Sequence, residues 1–138
     1  VLLHSFDRVR LLEPWSRLEQ PPPVLIEVNI ASEPQKHGFR PSEVLQVADL
    51  VAERRVAVRG LMIIPPRVRV ADEARRWFVE LRELGAKLQA QHPDAVELSM
   101  GMTDDFEVAV EEGASIVRVG RAIFESANST TAKRITED

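Results

Sequence analysis

Two glycine-containing turns near the carboxyl end are the segments best suited to chemistry. Ser99-Met100-Gly101-Met102-Thr103 follows one apolar run and Gly120-Arg121 follows the next, and each leads into a helix or helical turn. Exposed backbone amides at such places bind anions, phosphate above all, because a helix start carries partial positive charge. The pairing of Ser99 and Gly101 with Gly120 is the strongest physical pointer in the chain, although one glycine per turn is also ordinary loop grammar. Arg118 lies inside the second run, between Val117 and Val119. A guanidinium there needs partners, since an unpaired ion in a core is expensive. Glu97 or Glu27 on neighbouring strands would supply a salt bridge. Alternatively, Arg118 faces a ligand pocket and donates to a ring acceptor or an anion.

Other polar residues carry weaker signals. Asn29 alternates with Glu27 and Leu25 and either contacts a ligand or braces the loop that follows. Lys36 shares that loop with Glu33 and His37 and reads as a solvated charge. His4, His37 and His92 show no metal-ligand spacing and no carboxylate at helical offset, so no metal site is expected. Met62, Met100 and Met102 read as core or pocket packing.

The elements that must position these residues alternate strictly. Short apolar runs at Val1–Ser5, Val24–Ile30, Val56–Ile64, Val96–Met100 and Ser115–Val119 read as strands. Between them, Arg8–Leu18, Pro41–Glu53, Asp72–Gln91 and Phe106–Glu112 have helical spacing. Pro21-Pro22-Pro23 and His92-Pro93 stop two of these helices, because proline cannot donate to a helical ladder. Thr103-Asp104-Asp105 offers side-chain oxygens to cap the last helix, and Gly113 its left-handed stop. Five strands and four intervening helices predict an α/β fold, a parallel sheet with right-handed crossovers. Two closures fit: an open five-stranded doubly wound sheet, or part of an eight-stranded barrel, which needs about 250 residues. In both, ligands sit at the C-terminal ends of the strands, where the two turns lie. Residues 1–124 form the folded unit, and the polar stretch 125–138 is expected to be a disordered tail.

Composition closes off other classes. The 138 residues are 44% hydrophobic and 29% charged, a balance that supports a real core. Fifteen glycines and prolines are too few for a low-complexity polymer, and no run approaches the roughly 20 apolar residues that span a bilayer. Val1-Leu2-Leu3-His4-Ser5 turns polar too soon for a signal peptide. The absence of cysteine excludes disulfide scaffolds, thiolate metal sites and cysteine nucleophiles, and it fits a cytoplasmic location. The net charge is −4 with both signs dispersed, so neither a nucleic-acid surface nor a membrane surface is expected.

Four segments taken together carry a resemblance. They are Val24-Leu25-Ile26-Glu27-Val28-Asn29 with Lys36-His37-Gly38-Phe39; Arg59-Gly60-Leu61-Met62-Ile63-Ile64-Pro65; Leu98 to Phe106; and Glu112 to Phe124. In this order and spacing the chain resembles the pyridoxal phosphate homeostasis proteins, single-domain relatives of the alanine racemase barrel. The resemblance runs from His4-Ser5-Phe6-Asp7 to Phe124. It implies a (β/α)8 barrel of TIM type, of which this chain would supply strands four to eight, and a bound pyridoxal 5′-phosphate. Carried over, Ser99, Gly101 and Met102 would line the phosphate cradle, the amides of Gly120 and Arg121 would complete it, and Arg118 would approach the pyridine nitrogen. Asn29 and Met62 are further candidate contacts at strand ends. The implied role is that of a carrier and regulator of the vitamin B6 pool rather than an enzyme.

One departure is large. The family's Schiff-base lysine ends the first barrel strand in a Val-Ser-Lys-Thr-like stretch, and none of Lys36, Lys87 and Lys133 matches it. The chain therefore reads as an N-terminally truncated member with no catalytic residue of its own, able to hold the cofactor only non-covalently. A full-length relative is expected to be a monomer, whereas open sheet edges here invite self-association. Two alternatives stand beside this: a racemase-like enzyme, for which the tyrosine-free chain offers no second acid/base, and a half-barrel that binds no cofactor.

Overall fold

The computed structural model describes residues 1–124. The expected tail, 125–138, lies outside the described residues. Four strands are formed, β1 (Leu3–Phe6), β2 (Val24–Glu27), β3 (Val58–Met62) and β4 (Glu97–Ser99). They are parallel and lie in the sheet in chain order, β1-β2-β3-β4. β2 is buried at every position, as a continuous apolar run covered on both faces must be. Helices α1 (Leu12–Ser16), α2 (Val44–Glu53), α3 (Arg75–Gln91) and α4 (Phe106–Glu111) fill the connections, with 3-10 turns leading into the first three. Among the described residues no helix is long and apolar enough to cross a membrane.

Chain order decides between the two closures. A doubly wound sheet reverses its direction of growth at a switch point. Here every crossover adds the next strand on the same side, the winding of a (β/α) barrel. A long-range contact shows that the sheet also curls. β1 and β4 are separated by two strands, which in a flat sheet sets them about 14 Å apart. Yet His4 Nδ1 of β1 lies 3.1 Å from Ser99 Oγ of β4, a gap the two side chains bridge only across a concave face.

The two faces of this arc differ. Helix-side positions Val24, Ile26, Val28, Leu61, Ile63 and Met100 join Val44, Val47, Ala48 and Val51 of α2 and Phe78, Leu81 and Leu88 of α3 in one core. Strand alternation turns Leu25, Glu27, Gly60, Met62 and Ser99 to the concave side. Glu27, Met62 and Ser99 stand in one row, paired in register across β2, β3 and β4. α3 packs on both β3 and β4, and its Gly85 lets Leu98 approach; a Cβ there would lie 2.9 Å from Leu98 Cδ2. Trp77 and Leu84 of α3 are only partly buried, at the borders of this core.

Three expectations need correction. The fifth strand, Ser115–Val119, is reduced to a single bridge, Ser99 to Ile116. Ser115 N and Ile116 N both donate to Leu98 O, and Met100 N donates to Ile116 O. Gly101 then turns with φ +95, so the ladder breaks after one pair although the segment still runs parallel beside β4. The first helix, expected over Arg8–Leu18, is a 3-10 turn (Val9–Leu11) and five residues of α-helix, because Pro14 lies within it and Val9 faces solvent. Finally, Asp105 does not cap the amides of α4: its Oδ1 accepts from Met102 N, 2.7 Å away, bracing the turn from within.

Gly60 is the tightest point of the sheet. Its φ is +152, and a Cβ on it would sit 1.9 Å from Glu97 O, inside the β3–β4 pairing. Gly60→Ala is therefore expected to lower unfolding stability by about 3 kcal/mol or more, the scale of severe backbone and packing conflicts. Urea unfolding followed by circular dichroism measures it; a loss within about 0.5 kcal/mol would show that β4 does not approach as described.

Candidate functional site

Ser99 ends β4 on the concave face with no solvent exposure. Arg118 reaches it from the chain segment beside β4. Its Nη1 donates to Ser99 Oγ at 2.6 Å, and its Nη2 donates to the Ile63 carbonyl at 2.7 Å. Neither anticipated salt bridge forms. Glu97 accepts from Ser115 Oγ at 2.5 Å, and Glu27 acts on Arg118 only through space. Burial pushes the Arg118 guanidinium down from its ordinary value, while the charges of Glu27 and Asp105 oppose that shift. Two of its five N–H groups are used, and the other three have no hydrogen-bond partner among the described residues.

The two glycine turns come together here. Arg118 N donates to Gly101 O at 2.9 Å, and an Arg121–Asp104 ion pair joins the turns at the surface. Between them and the segment after β3 opens a cleft of about 760 Å³. Met102, Arg118, Gly120 and Arg121 line it, opposite Pro65 and Arg67. The amides of Gly101, Thr103, Gly120 and Arg121 donate to no acceptor among the described residues. A Cβ on Gly120 would meet nothing within 4 Å, so that turn borders open space.

Four of the eight residues singled out from sequence thus line one cleft. Ser99 and Gly101 stand directly behind it: one holds the Arg118 side chain, the other its main chain. Gly101 also seats α4, since a Cβ would approach Ala109 Cβ to 2.6 Å. Met62 is buried on the concave face in the row with Ser99, away from the cleft wall. Asn29 braces its loop: Nδ2 donates to Glu33 O at 2.7 Å, and Oδ1 accepts from Glu33 N at 3.0 Å. Lys36 pairs with Glu33 at 2.6 Å and Lys87 is exposed on α3, so neither lines the cleft, while Lys133 lies outside the described residues.

Residues without a sequence signal also belong here. His4, given no role from spacing, meets Ser99 from the far side of the arc. Its signal was only positional, an interior place in a short strand. Arg67 and Arg69 border the cleft from the segment after β3; two arginines directly beyond Pro65-Pro66 at a strand end were the available hint. Glu27 completes the concave face. Burial raises its carboxyl above the ordinary value and Asp7 adds to the rise, while His37, Arg118 and Arg8 pull it down.

Comparison with known proteins bears on the family and the fold. Residues 1–127 match the model of the alanine racemase N-terminal domain. A pyridoxal phosphate homeostasis protein of Aquifex aeolicus is 42% identical over 132 residues, covering 90% of this chain and 57% of the relative. One from Escherichia coli is 39% identical over 130 residues, covering 88% and 54%. The chain thus spans just over half the length of the curated relatives it matches. Among solved structures, PipY of Synechococcus elongatus without PLP superposes with a TM-score of 0.77 at 35% identity, over 86% of this chain and 59% of PipY. PipY with PLP bound gives 0.73 at 32% identity, over 86% and 58%. A lysine/ornithine decarboxylase of Vibrio vulnificus gives 0.68 at 13% identity, over 87% and 38%, a likeness of fold alone.

The raised Glu27 carboxyl carries a sign. A folded-state value above the unfolded one means that the native chain binds the proton more tightly, so stability is lost as pH rises through that window. Glu27→Gln is expected to be more stable than the parent at pH 7, with the gain shrinking to nothing below the ordinary glutamate range. Urea midpoints across pH check this; a variant equally or less stable at pH 7 would mean that the charges around Glu27 outweigh its burial.

Proposed function

The chain belongs to the alanine racemase N-terminal domain family, and from that premise we propose that it is the cofactor-binding portion of a pyridoxal phosphate homeostasis protein. The observation that supports this best is Arg118, fixed by Ser99 and the Ile63 carbonyl at the wall of a cleft whose two turns offer unused amides. Those donors fit the group. The amides of Thr103, Gly120 and Arg121, unused among the described residues, with the Arg67 and Arg121 side chains nearby, suit a phosphate. The open space beside Gly120 leaves room for it.

Bound pyridoxal phosphate supplies an aldehyde that captures amines and a ring that draws electrons when its nitrogen is protonated. Arg118 bears on the second property. A guanidinium has donors only and keeps its protons, so Arg118 would present an N–H to the ring nitrogen and leave it unprotonated. The residues here therefore favour holding the cofactor over running carbanion chemistry on it. That supports a carrier or regulator of the vitamin B6 pool rather than an enzyme, and cytoplasmic residence belongs to the same reading. Lys36 and Lys87 stand away from the cleft, so retention by the described residues would be non-covalent.

Equilibrium dialysis tests the proposal. The chain should retain pyridoxal 5′-phosphate and bind unphosphorylated pyridoxal at least roughly tenfold more weakly, since charge-assisted hydrogen bonds to the ester would be lost. Arg118→Met should cost roughly tenfold for the phosphorylated form. Equal retention of the two vitamers, or none of either, would sink the reading.

A further inference from the structure

We infer that His4 is a positioning residue for Arg118, acting through the proton of the Ser99 hydroxyl; its consequence for the cofactor rests on the function proposed above. Arg118 Nη1 can only donate, so at 2.6 Å Ser99 Oγ must be the acceptor. The hydroxyl then has one proton to place. Ser99 is completely buried, and its oxygen's other partner among the described residues is His4 Nδ1 at 3.1 Å. A proton on Nδ1 would leave the hydroxyl hydrogen with no acceptor in a dry site, which costs more than the contact returns. The accounting closes when Nδ1 is unprotonated and accepts, with the imidazole proton on Nε2.

The consequence is directional. With its hydrogen committed to His4, Ser99 Oγ turns a lone pair toward Arg118. The guanidinium plane is then set by two fixed acceptors, Ser99 Oγ and Ile63 O, rather than by one. His4 and Arg118 belong to segments at opposite sides of the arc, so β1 has a direct part in holding a side chain that rises from beyond β4.

Nitrogen-15 NMR on the labelled, unsubstituted chain reads the claim without any cofactor. His4 should show the tautomer with Nδ1 bare, and Ser99→Ala should remove that preference. Arg118 guanidinium protons should exchange with solvent roughly tenfold faster in His4→Leu, as expected for loss of about one hydrogen bond's support. His4→Asn, whose Oδ1 can accept in place of Nδ1, should restore slow exchange. Pyridoxal 5′-phosphate affinity should follow the same order, with no further loss from His4→Leu in a Ser99→Ala background. A His4 protonated on Nδ1, or equal effects of Leu and Asn, overturns the inference. Should His4→Leu not fold, the tautomer in the parent chain decides. Retention failing while these NMR signatures hold would overturn the cofactor reading and support the His4 link.

Discussion

A single buried hydroxyl organises the concave face. Ser99 Oγ takes a hydrogen bond from Arg118 and meets His4, and through those partners it ties the first strand, the last strand and the segment beyond it into one arc. A flat sheet would hold His4 and Ser99 too far apart to touch, so the contact and the curvature require each other. The same hydroxyl keeps a guanidinium at the wall of the cleft, where desolvation would otherwise drive it outward. Fold and site share one constraint: the concave face must be narrow enough for polar groups on distant strands to satisfy each other.

The concave face is charged as well as narrow. Asp7, lowered by its hydrogen bond to Arg8, stays ionised near Glu27, which burial pushes the other way. Two carboxylates are thus driven apart in proton affinity, Asp7 downward by its bond with Arg8 and Glu27 upward by burial. On the outside, Arg75 binds Glu111 and Glu112, each at 2.7 Å, and Arg82 binds Glu112 at 2.5 Å, fastening α4 to α3. That clamp matters to the site, since α4 is the helix against which the Gly101 turn packs.

Much of this was legible in the residues, for identifiable reasons. β2 and α3 could be read because their patterns are dictated by burial: an unbroken Val-Leu-Ile run and a Phe78, Leu81, Leu88 stripe. The meeting of the Ser99 and Gly120 turns was legible because parallel strands bring their carboxyl ends to one rim. The fifth strand was overcalled, since β-branched residues at 115–119 do not reveal that Gly101 ends the ladder beside them. His4 was invisible because its partner lies 95 residues away and no local spacing encodes it. Asn29 remained ambiguous for the reverse reason: the loop that claims its side chain is local, but loop conformation is not written in periodicity.

Strand order in the sheet repeats strand order in the chain. Each strand finds its partner one connection away, so no pairing requires a distant part of the polypeptide to return past elements already in place. Such a topology keeps loop-closure entropy small at each step and lets structure grow outward from any well-packed pair of strands.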